Sequence, residues 1–173
     1  MTLKALVERI PPPVAPFEAF LGPWEPIEAA VGMVMPQDYK DFVGLYGSGY
    51  FMQFLGISVP QSANPNVDFV SSVRSICKTF EKFEDLLDPM WPKAGGLLPF
   101  GSTDNGDYLL WLTRGAPDEW PVVIWGRHEP DLELFECGLV AFLTGLVTGE
   151  IAPQAFPDEF LVCDHLFQAS SPL

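Results

Sequence analysis

The residues best suited to chemistry in this sequence are few, and their spacing decides between catalysis and architecture. Cys163 and His165 lie two apart and would share one face of a strand, where a thiol and an imidazole can act as nucleophile and base. No recognisable third residue orients the pair and no oxyanion loop accompanies it. Leu161, Val162, Leu166 and Phe167 around it read as core, so the pair is expected to be packed, not catalytic. His128 follows Trp125-Gly126-Arg127 at a strand end. With two histidines and no His-x-x-x-His spacing, a metal would need distant carboxylates to converge, and a solvated loop histidine is the expectation. Asp104 and Asp107 flank Asn105-Gly106 and can be imagined as acid and base or as cation ligands. The spaced oxygen ligands and terminal Glu of a calcium loop are missing, whereas Asp and Asn are what tight turns select. Turn formation accounts for them, and Asp104, Asn105 and Asp107 remain candidates for the charged rim of a binding surface. Gly47-Ser48-Gly49 and Gly95-Gly96 lack the Lys-Ser of a phosphate-binding loop, and no Gly-x-Ser-x-Gly elbow occurs. No catalytic residue, metal site or cofactor is expected.

Asp118-Glu119-Trp120-Pro121 is more promising as a surface. A Trp between acids and a Pro, in a loop joining two strands, suits an interface anchor with a negative rim. The competing expectation is that Trp120 folds back onto the sheet.

Charge narrows the partners. Twenty-three Asp and Glu against nine Lys and Arg give a net charge of −14. Such a field repels nucleic acid and anionic membranes and steers a basic protein towards the surface. Solubility of an aromatic-rich chain is the plainer account of the same charge. Cys77, Cys137 and Cys163 leave one thiol over in any disulfide scheme and form no Cys-x-x-Cys, so reduced, mostly buried thiols are expected. Met1–Ile10 lacks a secretory pattern, and the most apolar stretch, Gly138–Val147, is too short to span a bilayer. These features predict a cytoplasmic protein with no membrane segment.

At 173 residues the chain suits one domain, able to bury roughly 70% of its unfolded surface without a metal or disulfide staple. Leu3, Leu6, Val7 and Ile10 predict a first helix ended by Pro11-Pro12-Pro13, and Ile27–Val31 a second ended by Gly32. Pro36 opens a third, with Tyr39, Phe42, Val43 and Tyr46 on one face and Gly47 as a left-handed cap. Tyr50–Phe54 reads as one strand, and Val67–Leu87 as a long helix capped by Asn64. Leu97–Phe100 and Tyr108–Leu112 flank Asp104-Asn105-Gly106-Asp107, where Asn-Gly supplies the positive φ angles of a tight hairpin. Tyr108–Leu112 and Val122–Trp125 are apolar without alternation, which places them mid-sheet and covered on both faces. Leu139–Val147 predicts a deeply packed helix. The tail after Pro157 fits helix and strand equally.

Several segments, in order, resemble the SUKH superfamily of bacterial toxin-immunity proteins and fungal cell-wall-synthesis regulators. Met35-Pro36-Gln37-Asp38-Tyr39-Lys40-Asp41-Phe42 with Tyr46-Gly47-Ser48-Gly49 is similar to its Leu-Pro-x-x-Tyr-x-x-Phe helix and glycine turn, with Met35 in place of Leu. Leu98-Pro99-Phe100-Gly101, then Asn105-Gly106-Asp107-Tyr108 and Trp111, resembles its hairpin. Pro121-Val122-Val123 matches its next strand and Phe142-Leu143 its final helix, while Glu28 only loosely matches its early acidic residue. The resemblance runs from about Trp24 to Glu150, leaving the proline-rich start and the tail as extensions.

The resemblance implies an α+β fold, a central mixed or antiparallel sheet flanked by helices, and a non-catalytic role. The matched residues Pro36, Tyr39, Phe42, Gly47, Gly106 and Asp107 read as mainly scaffold, so they do not locate a partner surface. The leading expectation is an immunity protein that neutralises a basic, nucleic-acid-targeting toxin by direct binding. The next is a regulatory or scaffolding module for another protein. The third is an enzyme or small-ligand carrier with a pocket near Trp111, Trp125 or Cys163.

Overall fold

The computed structural model describes residues 2–81, 89–128, 132–157, 160 and 166–171. Two short helices come first. α1 (Leu3–Arg9) is capped by Thr2, whose side chain accepts from the Ala5 amide, and it buries Leu6. α2 (Glu25–Val31) carries Pro26 in its first turn and ends on Gly32 in the left-handed conformation. α3 (Gln37–Tyr46) buries the four residues expected on one face: Tyr39, Phe42, Val43 and Tyr46. Gly47 after it has positive φ but ψ of −155°, outside the left-handed helical region assumed for it. It is a glycine because the Phe17 carbonyl occupies the place of a Cβ.

The strand expected over Tyr50–Phe54 is instead a hairpin. β1 (Gly49–Phe51) turns through Met52 and Gln53 into β2 (Leu55–Ile57). Met52 and Gln53, the central residues of a turn in which the Phe54 amide donates to the Phe51 carbonyl, have positive φ of 52° and 55°, and Phe54 is the third residue between the paired Phe51 and Leu55. Neither Met52 nor Gln53 is Gly or Asn, so the turn carries no signature in sequence.

α4 (Phe69–Phe80) begins at Asp68, whose carboxylate accepts from the Ser71 amide at 2.9 Å. Asn64, expected as the cap, accepts from the Asn66 amide instead. Val67 closes a turn by donating to the Asn64 carbonyl, and Asp68 stays extended because Val59 pairs alongside it. Residues 82–87 of the expected helix lie outside the described residues.

β3 (Leu97–Thr103), β4 (Tyr108–Leu112), β5 (Val122–Trp125) and β6 (Leu132–Phe135) continue the sheet, and α5 (Leu139–Thr148) packs behind it. β7 (Phe167–Ala169) resolves part of the ambiguous tail as a strand on β1. The sheet is antiparallel throughout, in the order β6-β5-β4-β3-β2-β1-β7. Together with the helices it makes the α+β architecture expected.

The period of two divides the strands between two apolar clusters. Leu98, Leu109, Trp111, Val122 and Ile124 join α1, α3, α5 and the first part of α4 in the main core. Leu97, Leu110, Leu112 and Val123 form a smaller cluster on the other face. β4 and β5 are therefore covered on both faces, as their unbroken hydrophobicity predicts. Trp111, fully buried, stacks on Phe100 at 4.2 Å and meets Tyr39 edge-on at 5.1 Å. Each such ring contributes roughly 1.5–3 kcal/mol by burial. Among the described residues no helix is long and apolar enough to cross a membrane.

Candidate functional site

β4 separates the two groups of candidate residues. The Asp104–Asp107 turn precedes it and the loop with Asp118–Trp120 follows it. Five extended residues span about 17 Å, so the groups lie at opposite ends of the sheet and form no single patch.

At the hairpin end only Gly106 takes positive φ, 87°; Asn105 does not share it. Gly106 donates to Thr103 O and Thr103 to Asp107 O, a turn closed by a left-handed glycine in place of the Asn-Gly pair expected. Asp104 and Asn105 are exposed at its tip. Asp107 is not available to a partner: it is 2% exposed and its carboxylate is bonded inward. Oδ2 accepts from Thr103 Oγ1 at 2.6 Å and Oδ1 from the Arg127 amide at 2.9 Å, which ties the turn to the end of β5. The Arg127 side chain lies over Gly106, so a cation shares this end with the acids. Beside the hairpin, the β1–β3 face opposite the main core holds a groove of about 440 Å³. Tyr50, Gly56, Ser58, Asn64, Ser102 and Asp104 are among its lining residues.

At the far end Asp118 and Glu119 are exposed on a 3-10 turn, Pro117–Glu119. Trp120 is 4% exposed and packs 6.2 Å from Trp111, so of the two expectations for it the structure shows the inward one. Its ring offers no anchor to a partner in this conformation. Asp118 has a specific task, because its Oδ1 accepts from the Gln37 amide at 2.6 Å. Gln37 opens α3, where the backbone amides have no partner within the helix. Asp38, one residue further, repeats the device on α5: its Oδ2 accepts from the Val140 amide at 3.0 Å. Gly138 permits the approach, since a Cβ there would lie 2.7 Å from that oxygen. The other oxygen, Asp38 Oδ1, is buried with no hydrogen-bond partner. Burial raises the Asp38 pKa, and the charges of Asp118 and Asp41 push it the same way, against the lowering effect of the backbone bonds.

Sequence reasoning found Asp118 and Glu119 but missed Asp38 and Asp41. Both sit in α3 among motif positions that read as arbitrary, and the amide that Asp38 caps is 102 residues away. Together Asp38, Asp41 and Asp118 line a groove of about 400 Å³ floored by α3 and the start of α5. A second groove of about 580 Å³ runs along α3 past Leu21, Trp24, Gly44 and Leu45, and shares Leu3, Gln37 and Asp41 with the first.

Among the described residues no three His, Cys, Asp or Glu side chains converge on a possible metal position. Burial pushes the Cys77 thiol up to about 12 and that of Cys137 upward, away from the reactive thiolate. His128 closes the β5 end, while Cys163 and His165 fall outside the described residues. Trp111 sits inside the core, fully buried.

No curated protein matches this chain, and no solved structure matches it either. A SUKH family model, SUKH_6, described as SMI1-KNR4 cell-wall, matches residues 23–143, well over half of the sequence. The match spans α2 to α5 and contains both ends of β4. By this match and by its architecture, the chain belongs to the SUKH family.

Proposed function

We propose that this chain acts as a single-domain cytoplasmic immunity protein, holding a basic, nucleic-acid-targeting toxin without transforming it. SUKH domains are generally non-catalytic and bind protein partners, which supports a binding role at the coarse level. The observation that carries the finer reading is the charge of −14. A toxin that handles phosphates presents cations, and an acidic domain can occupy that groove and deny it to the substrate. The exposed residues at both ends of β4, Asp104 with the neutral Asn105 and Asp118 with Glu119, are the proposed contacts.

Co-expression with the product of the adjacent gene tests the reading. Growth should be rescued, and the two proteins should elute as one complex that weakens as salt is raised. No rescue, or a complex indifferent to salt, counts against it. The description of the matching family as cell-wall favours a second reading, a regulatory module for a non-toxin protein. Complex formation with a neighbouring gene product that has no toxicity of its own would select it.

A further inference from the structure

We propose that the two adjoining grooves along the outer side of α3 receive a basic amphipathic segment of a partner protein. An aliphatic side chain of that segment would sit between Leu21, Trp24 and Leu45, and its Lys or Arg groups would face Asp41 and Asp118. The proposal rests on the basic-partner reading above and adds the surface and the chemistry of the segment.

Three observations support it. First, the grooves adjoin at Leu3, Gln37 and Asp41, which line both, so an apolar and an acidic portion lie side by side. Second, Leu21 is 85% exposed and lies against Gly44, where a Cβ would be 3.0 Å from Leu21 Cδ2. An isolated surface leucine needs no explanation, but one seated beside a groove lined by Trp24, Phe20 and Leu45 makes an apolar shelf. Third, the charge is one-sided. Lys40 is the sole cation lining either groove among the described residues, and it is engaged. Its ammonium pairs with Glu28 at 2.5 Å and lies 5.3 Å from the centre of the Trp24 ring. Three carboxylates, Asp38, Asp41 and Asp118, dominate the remaining field. A helix with apolar residues on one stripe and cations beside it complements such a surface.

The test is an amide-resolved NMR titration of the full chain with a synthetic peptide of about fifteen residues, long enough to form helix. Leu recurs at helical spacing along it and Lys fills the other positions; the control carries Glu in place of every Lys. The Lys peptide should give saturable shifts at Leu21, Asp41, Gly44 and Leu45, and the Glu peptide none. Asp41→Lys and Leu21→Ser, both at exposed positions, should each weaken binding at least fivefold while the rest of the spectrum is retained. Shifts confined to Asp104–Gly106 or to the Tyr50–Ser102 groove would overturn the assignment of this surface and leave the basic-partner reading standing. Equal binding of both peptides would overturn the charge argument. Groove shifts that grow with protein concentration alone would assign the surface to a second copy of the chain and overturn the proposal. No binding, with growth rescue by the wild type intact, would fail the groove alone; loss of rescue would fail the function.

Discussion

The two ends of β4 use the same residue type to opposite effect. At the hairpin end, Asp107 is enclosed with both carboxylate oxygens bonded, and the Arg127 side chain lies over the neighbouring Gly106. At the far end, Asp118 and Asp38 each hold the first turn of a helix, and their charges still face a groove. A carboxylate buried among donors becomes part of the frame, whereas one that caps a helix from outside serves the frame and the surface together.

Asp107→Ala should separate the ends most sharply. It strips the Arg127 amide and the Thr103 hydroxyl of their acceptor, and a loss of about 2–4 kcal/mol in urea unfolding is expected. A loss below 1 kcal/mol would place Asp107 with the surface acids. Asp118→Ala removes the cap of α3 and should cost about 1 kcal/mol, with faster amide exchange in the first turn of that helix as its local mark. Unchanged exchange at Gln37 would disprove the capping role.

Asp38→Asn should alter the pH profile more than the stability. The folded pKa is raised, so the folded state binds this proton more tightly than the unfolded chain does. The wild type therefore gains stability as pH falls through the raised pKa towards the ordinary aspartate range, and loses that increment on returning to neutrality. The variant should equal or exceed the wild type at pH 7 and lack the gain on acidification. A profile parallel to that of the wild type would contradict this. Asp104→Ala, at an exposed turn tip, should stay within about 0.5 kcal/mol of the wild type. A larger loss would show that the hairpin tip is frame after all.

What could be read in the sequence follows the range of the interactions. The apolar face of α3, the Asp104–Asp107 turn and the double burial of β4 and β5 are local patterns, written in spacing and turn residues. The Met52–Gln53 turn was hidden because its positive φ angles fall on residues that do not favour them. β6, half-exposed at the sheet edge, lacks the unbroken apolar run that marks its neighbours. The site was harder still. Trp120 had two equally local futures, and only the proximity of Trp111 selects one. The caps supplied by Asp118 and Asp38 bridge 81 and 102 residues, beyond any window in which a cap can be recognised. The family motif located the scaffold and left the acids of α3 as unspecified positions.

The strand order also bears on how the molecule is made. β1 to β6 follow one another across the sheet, so each can add to the one before as the polypeptide leaves the ribosome. β7 alone breaks the sequence, pairing with β1 from near the far end of the chain. Until it emerges, the outer edge of β1 presents unsatisfied amides and carbonyls, an invitation to neighbouring nascent chains. Those three late residues act as a selvedge, and shortening the protein before Phe167 should leave it prone to aggregation even with its core intact.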